Sequence, residues 1–231
     1  MIDVHPAPHA AHSWRDFLIH IATIVTGIVI AIGLEQAVEL IHHHHQRERL
    51  EAALHNESFL NRRLVAYNAD SVNQVRHNIR LNMTNLERDP KNFVPIQPTH
   101  DTFLPFINTA WTAARSSDLL GLLPNQLSEG YWKVNVLTDA MAASIASLAD
   151  ARKKVNSLLY LHASPSQLTP DERAELLRAY SEEDQEIGNL NYILVGYNFM
   201  NEAALANHVP SIEEMATESR EAQQTEAQPA Q

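Results

Sequence analysis

Residues Phe17 to Leu34 read FLIHIATIVTGIVIAIGL, 18 consecutive positions without an acid, a lysine or an arginine. At 1.5 Å of rise per residue, a helix of that length reaches about 27 Å, close to the ~30 Å hydrocarbon core of a bilayer. Trp14 stands before it as an interfacial anchor, and Ala37, Val38, Leu40 and Ile41 extend the apolar surface past Glu35. A helix buried in a soluble core carries a polar face, whereas the polar side chains here are His20, Thr23 and Thr26. A cleaved leader has a basic start and a small-residue cleavage site. This start sets Arg15 against Asp3 and Asp16, and the exit LEQAVELIHHHH has no such site. The stretch predicts a retained single-pass anchor: a flexible head at 1–16, then a transmembrane helix with its interface at 17–41.

Spacings of three and four put His20, Thr23, Gly27 and Ala31 on one side of that helix. Thr23-x3-Gly27-x3-Ala31 is a doubled small-x3-small pattern that lets a second helix approach closely, with His20 able to hydrogen-bond across. This is the predicted association face. Basic residues are nearly balanced, Arg15 before the segment and Arg47 and Arg49 after it. The short head favours an N-terminus in the cytoplasm and a domain outside it.

Beyond the anchor, composition points to helix. The chain of 231 residues has six glycines, is 45 % hydrophobic and only 6 % aromatic. From Glu35 to Arg88 it has neither Gly nor Pro. Leu50, Leu54, Leu60, Leu64, Tyr67, Val72, Val75, Ile79, Met83 and Leu86 recur mostly at three- and four-residue steps, so a first bundle helix is expected over about 42–88. Asp89-Pro90 ends it. Further helices are expected at about 102–117, 124–161 and 170–206. The last opens on Thr169-Pro170-Asp171-Glu172, a capping-box sequence with proline at the first helical position. Residues 209–231 read as a disordered acidic tail. The fold class is all-α: a transmembrane helix continuing into a long helix that packs in an antiparallel bundle, residues 42–208, with coiled-coil pairing to another copy open to its membrane-proximal stretch.

Charge and residue types exclude several functions. The net charge of −11 repels nucleic acid. No cysteine is present, which removes disulfides, thiolate zinc sites and a cysteine nucleophile. No P-loop, GxGxxG or Ser-x-x-Lys pattern occurs. His42, His43, His44 and His45 form the most conspicuous run. With Glu39, the residues His42, His43 and His45 are candidate ligands for a divalent metal, more so if two copies lie side by side. The same run also reads as a solvated polar collar, or as a pH-sensitive patch. His5, His9 and His12 in the head repeat the theme. Glu182, Glu183, Asp184 and Glu186 read as a solvated helix face, and Trp111, Tyr131 and Trp132 as core.

The block Trp14-x2-Phe17-Leu18, then Gly27-x3-Ala31-x2-Leu34-Glu35 and a His/Arg-rich helix, resembles a group of uncharacterised bacterial proteins. These carry an N-terminal single-pass anchor and a helical domain of unknown function. The resemblance covers mainly residues 14–60, and the four-histidine run has no counterpart in it. It implies attachment to a bacterial inner membrane and carries no activity. The leading expectation is a structural or interaction protein whose partners are the lipid bilayer and either a second copy or another membrane protein, with no nucleic acid and no obligatory cofactor. A ligand- or metal-sensing module acting through a partner is the second reading. A membrane-bound enzyme, with polar groups brought together across helices, is the third.

Overall fold

With neither glycine nor proline from Glu35 to Arg88, nothing in the sequence interrupts a helix there. The computed structural model describes residues 14–97 and 102–227 and has no strand among them. Its helices are α1 (Trp14–Arg88), α2 (Thr109–Ser116), α3 (Asn125–Leu159), α4 (Pro170–Leu205) and α5 (Ile212–Ala227). Short 3₁₀ turns fall at Leu119–Leu122 and Pro165–Gln167. The predicted head at 1–16 lies outside the described residues except for 14–16, which begin α1. The chain divides into two compact units, residues 1–49 and 50–231.

In the first unit, every described residue up to His45 is exposed, and Trp14, Ile24, Val29, Leu34 and Leu40 each keep 60 % or more of their surface open. This is the one helix among the described residues long and apolar enough to cross a membrane, with a mean hydropathy of 2.4 over its apolar window.

The second unit is a helical bundle. Arg62 pairs with Glu202 and Arg80 with Asp184, so the order of partners on α4 reverses that on α1 and the two helices are antiparallel. Lys154 pairs with Glu182 and Arg152 with Glu183, making α3 and α4 antiparallel as well. The core between them is built from Leu54, Val72, Val75 and Ile79 of α1, Met141 and Leu148 of α3, and Leu176, Ile187, Leu190 and Leu194 of α4. Each such side chain contributes roughly 1.5–3 kcal/mol by leaving water.

The buried stripe of α1 differs from the apolar pattern of the sequence. Leu54, Asn61, Asn68, Val75 and Asn82 recur every seven residues, as do Ser58, Val65, Val72, Ile79 and Leu86, and all are buried. The expected core residues Leu60 and Tyr67 are each 39 % exposed. An amide row lies inside because another part of the chain needs it. Asn61 Nδ2 donates to the Ile107 carbonyl at 2.7 Å while its Oδ1 accepts from the Ile107 N–H at 2.8 Å. Asn68 makes the same pair of bonds to Leu104, both at 2.9 Å. Asn82 makes them to Ile96, at 2.9 and 2.7 Å. A carboxamide offers one donor and one acceptor in a plane, which matches the N–H and C=O of a single residue in a strand-like backbone.

This pairing corrects the helix expected over 102–117. Residues 102–108 are not helical, and α2 covers only Thr109–Ser116. Seven helical residues from Asn61 to Asn68 rise about 10.5 Å. Three residues from Leu104 to Ile107 reach that far only when nearly fully extended, at about 3.3–3.6 Å each. Pro105 assists by disfavouring helical backbone at Leu104. The segment thus runs as an extended strap, antiparallel to α1, satisfied by side chains rather than by a helix of its own.

The other boundaries follow local chemistry. At α4, the Thr169 hydroxyl accepts from the Glu172 N–H, while the Glu172 carboxylate accepts from the Thr169 N–H at 2.7 Å, as the sequence predicts. The helix ends where Asn207 turns left-handed at φ 54, letting the His208 N–H reach the Ala203 carbonyl and the Asn207 N–H the Ala204 carbonyl. The stretch read as a disordered tail instead holds α5. Ser211 and Glu214 form a second reciprocal cap, the Ser211 N–H donating to Glu214 Oε2 at 2.6 Å and the Glu214 N–H to Ser211 Oγ at 3.2 Å. Met215 then packs against the core.

Asn68→Ala in the full chain leaves the Leu104 N–H and C=O without partners in a part-buried setting. The expected loss is about 2–4 kcal/mol, read as a lowered midpoint of chemical unfolding followed by circular dichroism. Exposed Asn56→Ala serves as the neutral comparison. Equal midpoints for the two variants would contradict the strap pairing.

Candidate functional site

The sequence-derived association face is present as a face. His20, Thr23, Gly27 and Ala31 lie along one side of α1, all exposed. Thr23 Oγ1 donates back to the Ile19 carbonyl at 2.9 Å, so its hydroxyl finds an acceptor on its own helix. A Cβ built at Gly27 meets nothing within 4 Å.

The histidine run does not converge. His43 Nε2 lies 4.0 Å from Glu39, whereas His44 and His45 both turn toward Glu48, each at 3.3 Å. At about 100° per residue, Glu39 lies between His42 and His43 while His43 and His45 point about 160° apart, so the four do not share one narrow face. Among the described residues, no group of three or more His, Asp or Glu side chains is placed to hold a metal ion.

What the sequence did not disclose is a polar centre inside the second unit, built on the first turns of its stretch of α1. Glu57 accepts the Ala110 N–H at 2.7 Å, and the amides of Trp111 and Thr109 also reach it. It therefore caps α2, whose own N-cap residue, Asn108, makes no side-chain cap bond. One turn on, Asn61 Nδ2 donates to the Tyr197 hydroxyl at 2.8 Å, and Tyr197 stacks on Phe106 of the strap with ring centroids 3.8 Å apart. Asn201 Nδ2 donates to the Ser58 carbonyl at 3.0 Å. Ser58 and Tyr131 share a hydrogen bond, and burial pushes the Tyr131 phenol up to about 12. A cavity of about 10 Å³, the size of one water, lies among Glu57, Asn61, Trp111, Tyr131, Asn135 and Thr138.

Trp111 and Asn135 also floor a larger open cleft of about 600 Å³. Helix α2 and the 3₁₀ turn after it supply one wall with Trp111, Arg115 and Leu120. One face of α3 supplies the other, with Glu129, Trp132, Asn135 and Asp139 following a three-and-four spacing. The sequence reading placed Trp111, Tyr131 and Trp132 together in the core. Trp111 and Tyr131 are buried, but Trp132 is 54 % exposed and stands in the cleft wall.

The acidic run on α4 is a junction rather than a solvated face. Glu182 pairs with Lys154 at 2.6 Å and Glu183 with Arg152 at 3.1 Å, both on α3. Asp184 turns the other way to Arg76 and Arg80 of α1, at 3.5 and 3.3 Å. Glu183 is 4 % exposed, and burial raises its carboxyl above the ordinary range against the pull of Arg152. No family model, no curated protein and no solved structure matches the chain.

Burial likewise raises the Glu57 carboxyl above 4.5, against the lowering effect of the three amides it caps. A folded value above the unfolded one means that the folded chain holds the proton more tightly. The contribution of this group to stability is fully present below the unfolded value and is lost as pH rises through the folded one. Glu57→Gln, which keeps an acceptor for α2, lacks that titration. Melting temperatures measured from about pH 4 upward should show wild type losing ground to the variant, with a constant difference once Glu57 is fully ionised. A wild-type advantage that grows with pH would contradict the burial argument.

Proposed function

We propose that this chain is a single-pass protein of the bacterial inner membrane, anchored by the helix over residues 17–41, with its bundle serving as a structural or interaction module. The observation that carries the reading is the apolar stretch of α1. From Phe17 to Leu34 no described side chain of the chain covers it. Leaving ~18 such residues in water forfeits most of what the hydrophobic effect offers them, whereas lipid satisfies them without any protein partner. Helix is also the one backbone form that enters lipid singly with its hydrogen bonds made internally.

Arg15 sits directly before the apolar stretch while Arg47 and Arg49 lie well beyond it, a distribution that supports a bundle on the periplasmic side. Thr23, Gly27 and Ala31 offer a smooth strip for close approach of a second copy in the membrane. Self-association through that strip, or pairing with another membrane protein, is the role inferred for this chain rather than catalysis.

Expressed in a bacterial host, the full chain should stay with membranes after alkaline carbonate washing and enter solution only with detergent. Val25→Arg together with Ile28→Arg places two charges at the centre of the anchor, each costing about 2.5–3.5 kcal/mol on insertion scales, and should move the chain out of the membrane fraction. Unprocessed wild-type chain found free of membranes without detergent would overturn the reading. Gly27→Leu, tested by cross-linking in the membrane, should reduce dimer yield severalfold while leaving membrane attachment unchanged.

A further inference from the structure

The cleft between α2 and α3 has walls of opposite charge that do not reach each other. Arg115, in the last turn of α2, has no ion-pair partner among the described residues. Across from it on α3, Asp139 accepts one long hydrogen bond from Asn135 Nδ2, at 3.4 Å, and is in no ion pair among the described residues. The second carboxylate on that wall, Glu129, is already engaged by Lys133 at 2.9 Å. Three charged pairs elsewhere in the second unit close across neighbouring helices: Arg62 with Glu202, Arg80 with Asp184, Lys154 with Glu182. Here, by contrast, a cation and an anion without ion-pair partners among the described residues line one open space.

We propose that this cleft binds a small zwitterion, an amino acid or a peptide of two or three residues, with its carboxylate on Arg115, its ammonium on Asp139 and its apolar part against Trp132. A guanidinium presents two parallel N–H groups to a carboxylate, a geometry that suits an incoming C-terminus better than a point charge would. An indole face attracts an ammonium group as well as apolar surface, and Trp132 is 54 % exposed between the two charges in sequence. A space of about 600 Å³ falls within the range of small-molecule sites and holds a peptide of this length. A simple cation would meet Arg115, and a simple anion would meet Asp139 and Glu129. A ligand carrying both charges satisfies both walls. The proposal goes beyond the anchor reading and does not depend on it.

The test is calorimetric titration of the full chain in detergent with trialanine and with glycine as the smallest zwitterion, beside trialanine acetylated at its N-terminus and amidated at its C-terminus. Saturable binding of free trialanine is expected, weakened about tenfold or more by the blocked peptide and by either Arg115→Gln or Asp139→Asn. Both residues are exposed, so circular dichroism spectra of the variants should match wild type. Trp132→Phe should weaken binding while leaving the preference for free termini intact. No saturable heat from trialanine or glycine, or equal binding of free and blocked trialanine, would overturn the proposal.

Discussion

The second unit depends on a constraint set by backbone polarity. A non-helical strap laid against a helix must find partners for its own N–H and C=O groups, because burying them unpaired costs several kcal/mol. Three asparagines on α1, Asn61, Asn68 and Asn82, supply those partners, each serving both groups of one strap residue. The strap in turn brings Phe106 onto Tyr197 of α4 and delivers α2 to the carboxylate of Glu57. The position of α2, and with it the cleft against α3, therefore follows from an amide row on a helix that an all-apolar stripe would not provide.

Polar contacts in this bundle act mainly to specify. Hydrophobic burial drives the association of α1, α3 and α4, but an apolar seam tolerates sliding by a turn. Glu182 and Glu183 grip α3 while Asp184 grips α1, so a single turn of α4 fixes its register against both neighbours. The exposed members of that set contribute little energy each. The buried Glu183–Arg152 pair matters because any slipped register would leave a charge buried alone. The asparagines work in the same way, since a shift of one residue along α1 would unmatch every strap bond.

The first unit carries a different kind of surface. From Phe17 to Leu34 its exposed surface has no charged residue and only His20, Thr23 and Thr26 as polar side chains, unlike the surface of the bundle. The apolar stretch and the open cleft thus lie on separate parts of one chain, the first marked by its lack of charged residues and the second by its opposed charges.

How much of this was legible in the sequence varied with the range of the interaction that decides it. The apolar segment, the long uninterrupted α1, the stripes of α3 and α4 and the Thr169 cap depend on residues within a turn or two, and composition and spacing state them directly. The Ser211-x2-Glu214 cap was equally local, but the acidic composition around it hid it. The true buried face of α1 was not legible, because Asn61, Asn68 and Asn82 read as solvent-facing until a strap 14 to 46 residues away claims their amides. The same holds for Glu57, which meets the amides it caps only where α2 reaches α1, and for Arg115 and Asp139, which face one space only where α2 and α3 meet. By itself the sequence determined that the chain is helical and has one segment suited to lipid, since backbone propensity and hydropathy act locally. Tertiary structure alone decided which polar groups lie inside and which charges remain open, since pairing is a property of two partners and not of either one.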